Sequence, residues 1–325
     1  MTTARTVPVT TEMDGDELDA ADAWAMVRRV GVVRLLVDSF VRFRYGDGFT
    51  NSRALALQTA LAVVPFLLAL TGLAADIDHE RPARVIAATV QAVSPGAGQQ
   101  DALAGAVSGD VSSEEAGELA LGFGLGFALL SMTAAMAQVE RGLNRIYGIR
   151  RDRQAVGKYG RAAVMTAILA APVGLGFLLL VAGGAFARAM EADYGWSDRA
   201  VLLWNLGRWP IGLVLLVLAI AVILDHSPRR RQPGLSWLAL GSGVSVTLTM
   251  LATGLLAVYV HQGDSFGSIY GPLAGTFALL IWALLTSMAL FFGAAVCAQL
   301  EACRAGDHEP AYADPGRPHS TQVPG

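Results

Sequence analysis

Glu140, Arg141, Asn144 and Arg145 recur at intervals of four, so Glu140 stacks with Asn144 and Arg141 with Arg145 on helix faces. Two guanidiniums one turn apart suit a phosphate or a carboxylate, because each presents a planar fork of donors to paired oxygens. Within the chain, Glu301 is a candidate carboxylate; outside it, a lipid phosphate is the candidate. The alternative is a solvated basic end that does no more than orient a helix. A second polar group, Gln58-Thr59, precedes Pro65 by about two turns; a proline inside a helix frees a carbonyl and often kinks the helix. In a third, Arg208-Trp209-Pro210, the cation can snorkel to headgroups while the indole anchors at a membrane interface.

Metal and nucleophile chemistry has little to build on. Cys297 and Cys303 are six residues apart, fall on different faces of a helix and have no Cys or His at ligand spacing. They read as small packing residues in a reduced compartment. The histidines, His79, His226, His261, His308 and His319, are scattered over loops and tail. No catalytic residue, metal or cofactor is expected. Metal-assisted RNA hydrolysis needs converging His or carboxylate ligands; outside the acidic leader these are sparse, and such a reading turns on Asp152 and Asp225.

Apolar helices must position these groups. Hydrophobic residues make up 54% of the 325 and charged residues 16%, against about 25% charged in soluble domains, and the mean hydropathy is +0.47. A spanning helix needs about 20 mainly apolar residues. Six stretches qualify: Ala54 to Ala75, Leu119 to Gln138, Ala162 to Phe186, Leu206 to Leu224, Leu235 to Val260 and Pro272 to Leu300. With six crossings, nineteen of the 24 Lys and Arg fall on one side and five (Arg81, Arg84, Arg188, Arg199 and Arg208) on the other. The positive-inside bias then puts both termini in the cytoplasm. The expected class is an all-α, multi-pass protein of the bacterial plasma membrane. Because topology already explains the basic loops, nucleic acid is not an expected partner. Anionic lipid headgroups at the cytoplasmic face are expected, and a second copy or an envelope partner is open.

No secretory signal is evident in the polar, acidic start, so the first span is expected to insert the chain. Residues 1–22 are expected to form a disordered acidic leader, 23–303 the membrane domain and 304–325 a disordered tail containing Pro310, Pro315, Pro318 and Pro324. Trp24 to Tyr45 combines apolar bulk with Arg28, Arg29, Arg34, Arg42 and Arg44. It is expected either to lie as an amphipathic helix in the interface or to pack on the cytoplasmic ends of the bundle. Pro82 to Val93 is expected as a short helix. Close helix packing is expected at Gly122 and Gly126, at Gly267, Gly271 and Gly275, and around Gly183, Gly184, Gly241 and Gly243. Hydroxyls at Ser242, Ser245, Thr247, Thr249, Thr253, Thr276, Thr286 and Ser287 are expected to join helices more than to line a path.

The pieces Ala54-Leu55-Ala56-Leu57-Gln58-Thr59 leading to Pro65, Glu140 through Gly148, Arg208-Trp209-Pro210, Pro228-Arg229-Arg230, Tyr270-Gly271-Pro272-Leu273, Trp282 and Gly293-Ala294 occur in order from Val30 to Glu301. In these the chain resembles the YihY/BrkB family of bacterial inner-membrane proteins, once described as ribonuclease BN. The resemblance implies a bundle of six spans, adds Tyr270 to the candidate site residues, and links some members to envelope lipid handling or serum resistance. Two departures stand out. Leu57 and Gln58 replace paired aromatics, and Ala295 and Cys297 stand where the family carries Glu and then Asn. If that acid matters, Glu301 has to substitute for it.

Overall fold

In a computed structural model of the chain, residues 5–12, 18–76, 85, 89, 114–262 and 273–313 are described. Tyr270, Gly267, Gly271, nearly all of the expected helix from Pro82 to Val93, and the tail after Ala313 lie outside them. The chain folds as α1 (Ala20–Val30), α2 (Val32–Tyr45), α3 (Gly48–Asp76), α4 (Glu114–Ile146), α5 (Ala155–Phe177), α6 (Gly183–Tyr194), α7 (Asp198–His226), α8 (Leu235–Gln262) and α9 (Ala274–Arg304). A π-helical turn, Leu178–Ala182, joins α5 to α6. Two short strands, β1 (Arg5–Thr6) and β2 (Tyr312–Ala313), pair antiparallel and bring the two chain ends together.

Among the described residues, five helices are long and apolar enough to cross a bilayer: Leu121–Ile146, Ala155–Tyr194 (α5 through α6), Asp198–His226, Leu235–Val260 and Ala274–Arg304. The expected first span falls in α3, a helix of 29 residues. Each long helix packs on the next, α3 on α4, α4 on α5, α5 on α7, α7 on α8 and α8 on α9, and α9 returns to α3. The bundle is thus a closed succession, braced by a further contact between α4 and α9.

Local sequence explains where helices stop. Gly31 has a φ of 87° and splits the expected Trp24 to Tyr45 helix in two. Asp19 caps α1, its side chain accepting from the Ala21 and Asp22 amides. The expected connection between the third and fourth spans, residues 187–205, shrinks to Gly195–Ser197. Gly195 ends α6 in the left-handed conformation and Ser197 caps α7, accepting from the Ala200 amide. Arg208-Trp209-Pro210 therefore lies inside α7, ten residues from its start, and does not open it.

Packing is uneven along the bundle axis. The largest fully buried side chains include Trp237, Arg42, Tyr147, Phe43, Phe291, Leu143 and Glu301, all at the end that carries the termini. Towards the other end, Leu251, Leu255, Val258 and Tyr259 of α8 and Leu202, Leu203 and Leu206 of α7 are exposed. Close helix approach also departs from expectation. A Cβ on Gly122 or Gly126 would meet nothing within 4 Å, whereas one on Gly124, between them, would lie 2.7 Å from the Ala69 nitrogen and 2.9 Å from the Pro65 carbonyl oxygen. Glycines two apart point to different sides of a helix, and it is Gly124 that faces α3.

Candidate functional site

The end carrying the termini is closed by buried charge. α2 packs on α9 and α3, and on its buried stripe Leu35, Ser39 and Phe43 are joined by Arg42, which is fully buried. Its guanidinium ties four segments together. Nε donates to the Ile146 carbonyl at 3.0 Å, Nη1 to Gln299 Oε1 at 3.2 Å, and Nη2 to the Pro8 carbonyl and the Thr10 hydroxyl. Burial pushes the pKa of Arg42 down to about 10, with Tyr147 and Glu301 pulling the other way, so it stays a cation at neutral pH.

Beside it, Arg230 donates to Glu301 Oε2 at 2.7 Å; their side chains are 2% and 0% exposed. The Arg230 guanidinium also lies 4.7 Å from the Tyr147 ring centroid. Burial drives the Tyr147 hydroxyl well above its ordinary range, and the Glu301 charge adds to the effect. Three atoms of this cluster, Tyr147 Oη, Glu301 Oε1 and Arg230 Nη1, are buried without a completed hydrogen bond. Gly148 makes the closure possible: its φ is 77°, and a Cβ there would strike the Pro8 carbonyl.

A second network lies on the same end. Buried Glu140 pairs with Arg153 at 3.0 Å. Asn144, fully buried, donates to Asp152 Oδ1 at 3.1 Å and accepts from the Arg229 amide at 2.8 Å. Arg141 and Lys158 pair with Asp152 Oδ2 at 3.3 and 3.2 Å. Partial burial works against the Asp152 carboxylate, but the Asn144 hydrogen bond and the Lys158 and Arg141 cations outweigh it, so its pKa falls below the ordinary value. Because the folded pKa is depressed, this contribution to stability is complete above the unfolded value near pH 4. It is lost as the pH falls through the lower folded value. Asp152→Asn is expected to lower the thermal midpoint at pH 7, by a margin that narrows as the pH is taken down from about 4 towards and below the folded value; a loss that stays constant with pH would remove the carboxylate from this role.

Several sequence-derived sites are thus relocated. Arg141 binds Asp152, and the partner of Glu301 is Arg230, which reads in the sequence as one of three arginines in a topogenic loop. Arg145 is exposed. A cleft of about 290 Å³ between α3 and α4 is lined by Asp47, Thr50, Asn51, Gln138, Arg141 and Arg145, and Gln138 donates to Asn51 across it at 2.8 Å. Gln58 is half-buried, and its Oε1 is buried without a partner. Arg208 sits on α7, which packs on α5 and α8, while α3 packs on α4 and α9, so Gln58 and Arg208 lie on helices that are not principal neighbours. Residues 5–12 and 305–313, within the expected disordered leader and tail, are built into this end: β1 pairs with β2 and Gln299 donates to the His308 carbonyl at 3.2 Å. Thr253 accepts from Trp282 at 3.1 Å, a hydroxyl joining α8 to α9. In the sequence Arg42 is indistinguishable from the other arginines on the basic side of α2, except that it falls three residues after Ser39 and one before Phe43 on the buried stripe. Among the described residues, no three His, Cys, Asp or Glu side chains converge on a point that could hold a metal.

Known proteins place the chain. It is similar to the ribonuclease-like protein YfkH of Bacillus subtilis (strain 168), with 22% identity over 173 residues, 53% of this chain. The chain spans 62% of the length of that relative. No solved structure matches. The family model described as virulence factor BrkB matches residues 39–317, a range that takes in α3 to α9 and both halves of the Arg230–Glu301 cluster; the chain belongs to the BrkB family of membrane proteins.

Proposed function

We propose that this protein is a plasma-membrane protein of six spans, with both termini in the cytoplasm, that transports or flips a lipid-like or anionic substrate and is not an enzyme. The observation that carries the reading is the uneven packing. Six long helices follow one another around the bundle, their largest buried side chains gather at the end carrying the termini, and the other halves of α7 and α8 stay exposed. Alternating access needs one end closed while the other is free to open, and the exposed halves of α7 and α8 lie opposite the closed end. The nineteen Lys and Arg on one side, and the adjacency of the chain ends, support an even number of crossings with that end inside. The cleft at Arg141 and Arg145 offers headgroup phosphate a docking place on the same side.

The direct test is reconstitution into liposomes carrying head-labelled phosphatidylglycerol, with a membrane-impermeant quencher added outside. The label of the inner leaflet is expected to become quenchable within minutes with protein and not without it. Unchanged protection, together with no uptake of small anions, would defeat the transport reading. A second reading, a non-catalytic assembly or envelope-integrity protein, is favoured by one feature: Leu251, Leu255 and Tyr259 form an exposed apolar stripe on α8, a surface suited to another helix. Recovery of a fixed complex in mild detergent with transport assays silent would select it. The ribonuclease-like name belongs to YfkH; RNA cleavage by the purified chain, lost on changing Asp152 and Asp225, would bring that activity to this protein.

A further inference from the structure

We infer that Arg188 of α6 and Arg208 of α7 form a site for a phosphate-class oxyanion at the end of the bundle away from the termini. A Cβ built on Gly184 would lie 3.6 and 3.7 Å from the two terminal nitrogens of Arg208 and 3.8 Å from Nη1 of Arg188. Two guanidiniums thus converge on the space above one glycine. No ion pair links either of them to a carboxylate among the described residues. Like charges brought together in a partly dry setting repel, and an anion between them turns that cost into attraction.

The setting is built by the fold. The π-helical turn Leu178–Ala182 interrupts the regular ladder between α5 and α6, a distortion that recurs at functional sites. Arg208 Nη1 reaches the Leu179 carbonyl at 3.4 Å, and Trp204 Nε1 donates to the Gly183 carbonyl at 2.8 Å. Arg208 lies 5.4 Å from the Trp209 ring centroid, while its Nε is buried with no partner. A Cβ on Gly183 would stand 2.9 Å from Arg208 Cδ, so the small residue keeps the guanidinium in place. Between Arg208 and the Gly195–Ser197 turn, Phe186, Trp196 and Trp204 pack with ring centroids 4.9 to 6.1 Å apart.

Depth and donor geometry select the ligand. α7 has 29 residues, about 43 Å of helix against a hydrocarbon core of about 30 Å. With the overhang shared between its ends, only about 6 Å of α7 stands in the headgroup layer. The Arg208 backbone, about 15 Å along the axis, lies about 8 Å deeper than that layer, a depth from which a long guanidinium side chain reaches up to the phosphates. Paired guanidinium forks match the oxygens of a phosphate, and interfacial tryptophans mark the level at which lipid phosphates lie. The chemistry is a phosphate monoester or diester, drawn from a lipid headgroup or from a free phosphate. This deepens the substrate reading above, yet it requires binding only and no translocation.

The test uses full-length protein in neutral detergent, followed by tryptophan emission. Short-chain phosphatidic acid and inorganic phosphate are titrated in separate arms, with the matching uncharged diacylglycerol as control. Saturable change is expected with phosphatidic acid. Arg188→Gln removes an exposed side chain, and Gly184→Val fills the space between the guanidiniums; each is expected to weaken binding about tenfold or more, the loss of one charge-assisted contact. A response to phosphatidic acid alone identifies a lipid source; a response to inorganic phosphate as well identifies the oxyanion itself as sufficient. No saturable response in either arm, or equal affinity in wild type and both variants, overturns the site. Because no gradient or second compartment is involved, silent flipping assays leave this result intact, and failure here leaves the flipping assay to stand alone.

Discussion

Glu301→Gln is expected to destabilise the protein by about 3–5 kcal/mol, the cost of leaving a buried cation without its counter-ion. In the native fold Glu301 neutralises Arg230 at 2.7 Å, with Arg42 close enough to feel its charge. Removing the carboxylate charge leaves Arg42 and Arg230 buried together, with only the Asp307 carboxylate still acting on Arg42. Replacing the pair at once, Arg230→Met with Glu301→Leu, is expected to recover the part of the loss that belongs to Arg230, because uncharged residues of similar size carry no desolvation penalty, while Arg42 still lacks the Glu301 charge. Thermal unfolding in detergent measures both. If Glu301→Gln unfolds within about 0.5 kcal/mol of wild type, in the range of an ordinary surface change, the cluster does not hold this end together.

Gly293→Ala carries the next largest expected loss, despite adding a single carbon. Its Cβ would land on the Ser245 hydroxyl and the Gly241 carbonyl of α8, and one on Gly241 would meet the Cys297 sulfur. α8 and α9 would have to separate, at about 1–3 kcal/mol for an overpacked contact. Gly122→Ala and Gly126→Ala provide the contrast. Both would enter open space, and alanine favours a helix by about 1 kcal/mol over glycine, so these variants are expected to be neutral or slightly more stable. Equal losses at Gly293 and Gly122 would mean that α8 and α9 do not meet at the glycine surfaces described.

Much of the bundle is legible in the sequence, because apolar length is a strong signal and each expected span coincides with a long helix. Boundaries are less legible where helices run past the apolar stretch. α4 continues to Ile146 and α5 begins at Ala155, so Arg141, Arg145, Lys158 and Arg161 are helical although hydropathy alone places them in a loop. The turn at Gly195–Ser197 is marked in the sequence by Gly195 and, after Trp196, by the Ser197-Asp198 cap; the low hydropathy of the flanking residues obscures it. At the site, Glu140, Asn144 and Glu301 stood out as polar residues beside apolar runs. Their partners did not. Arg230 and Arg153 come from loops, Thr10 from the leader, and Arg42 from an arginine-rich helix. Which of several arginines turns inward depends on helix phase and tertiary contact, and neither is carried by the count of charges.

The native thiol at the centre of the sealed end reports on whether that end is closed. Cys297 is fully buried between α8 and α9, one turn before Glu301. With Cys303→Ser as background, the measurement is the rate at which a small maleimide alkylates Cys297 in native membranes. A sealed end gives labelling slower by orders of magnitude than in the denatured chain, and much faster labelling once Glu301→Gln has loosened the cluster. Labelling of the otherwise wild-type protein at a rate near that of the denatured chain would contradict that closure.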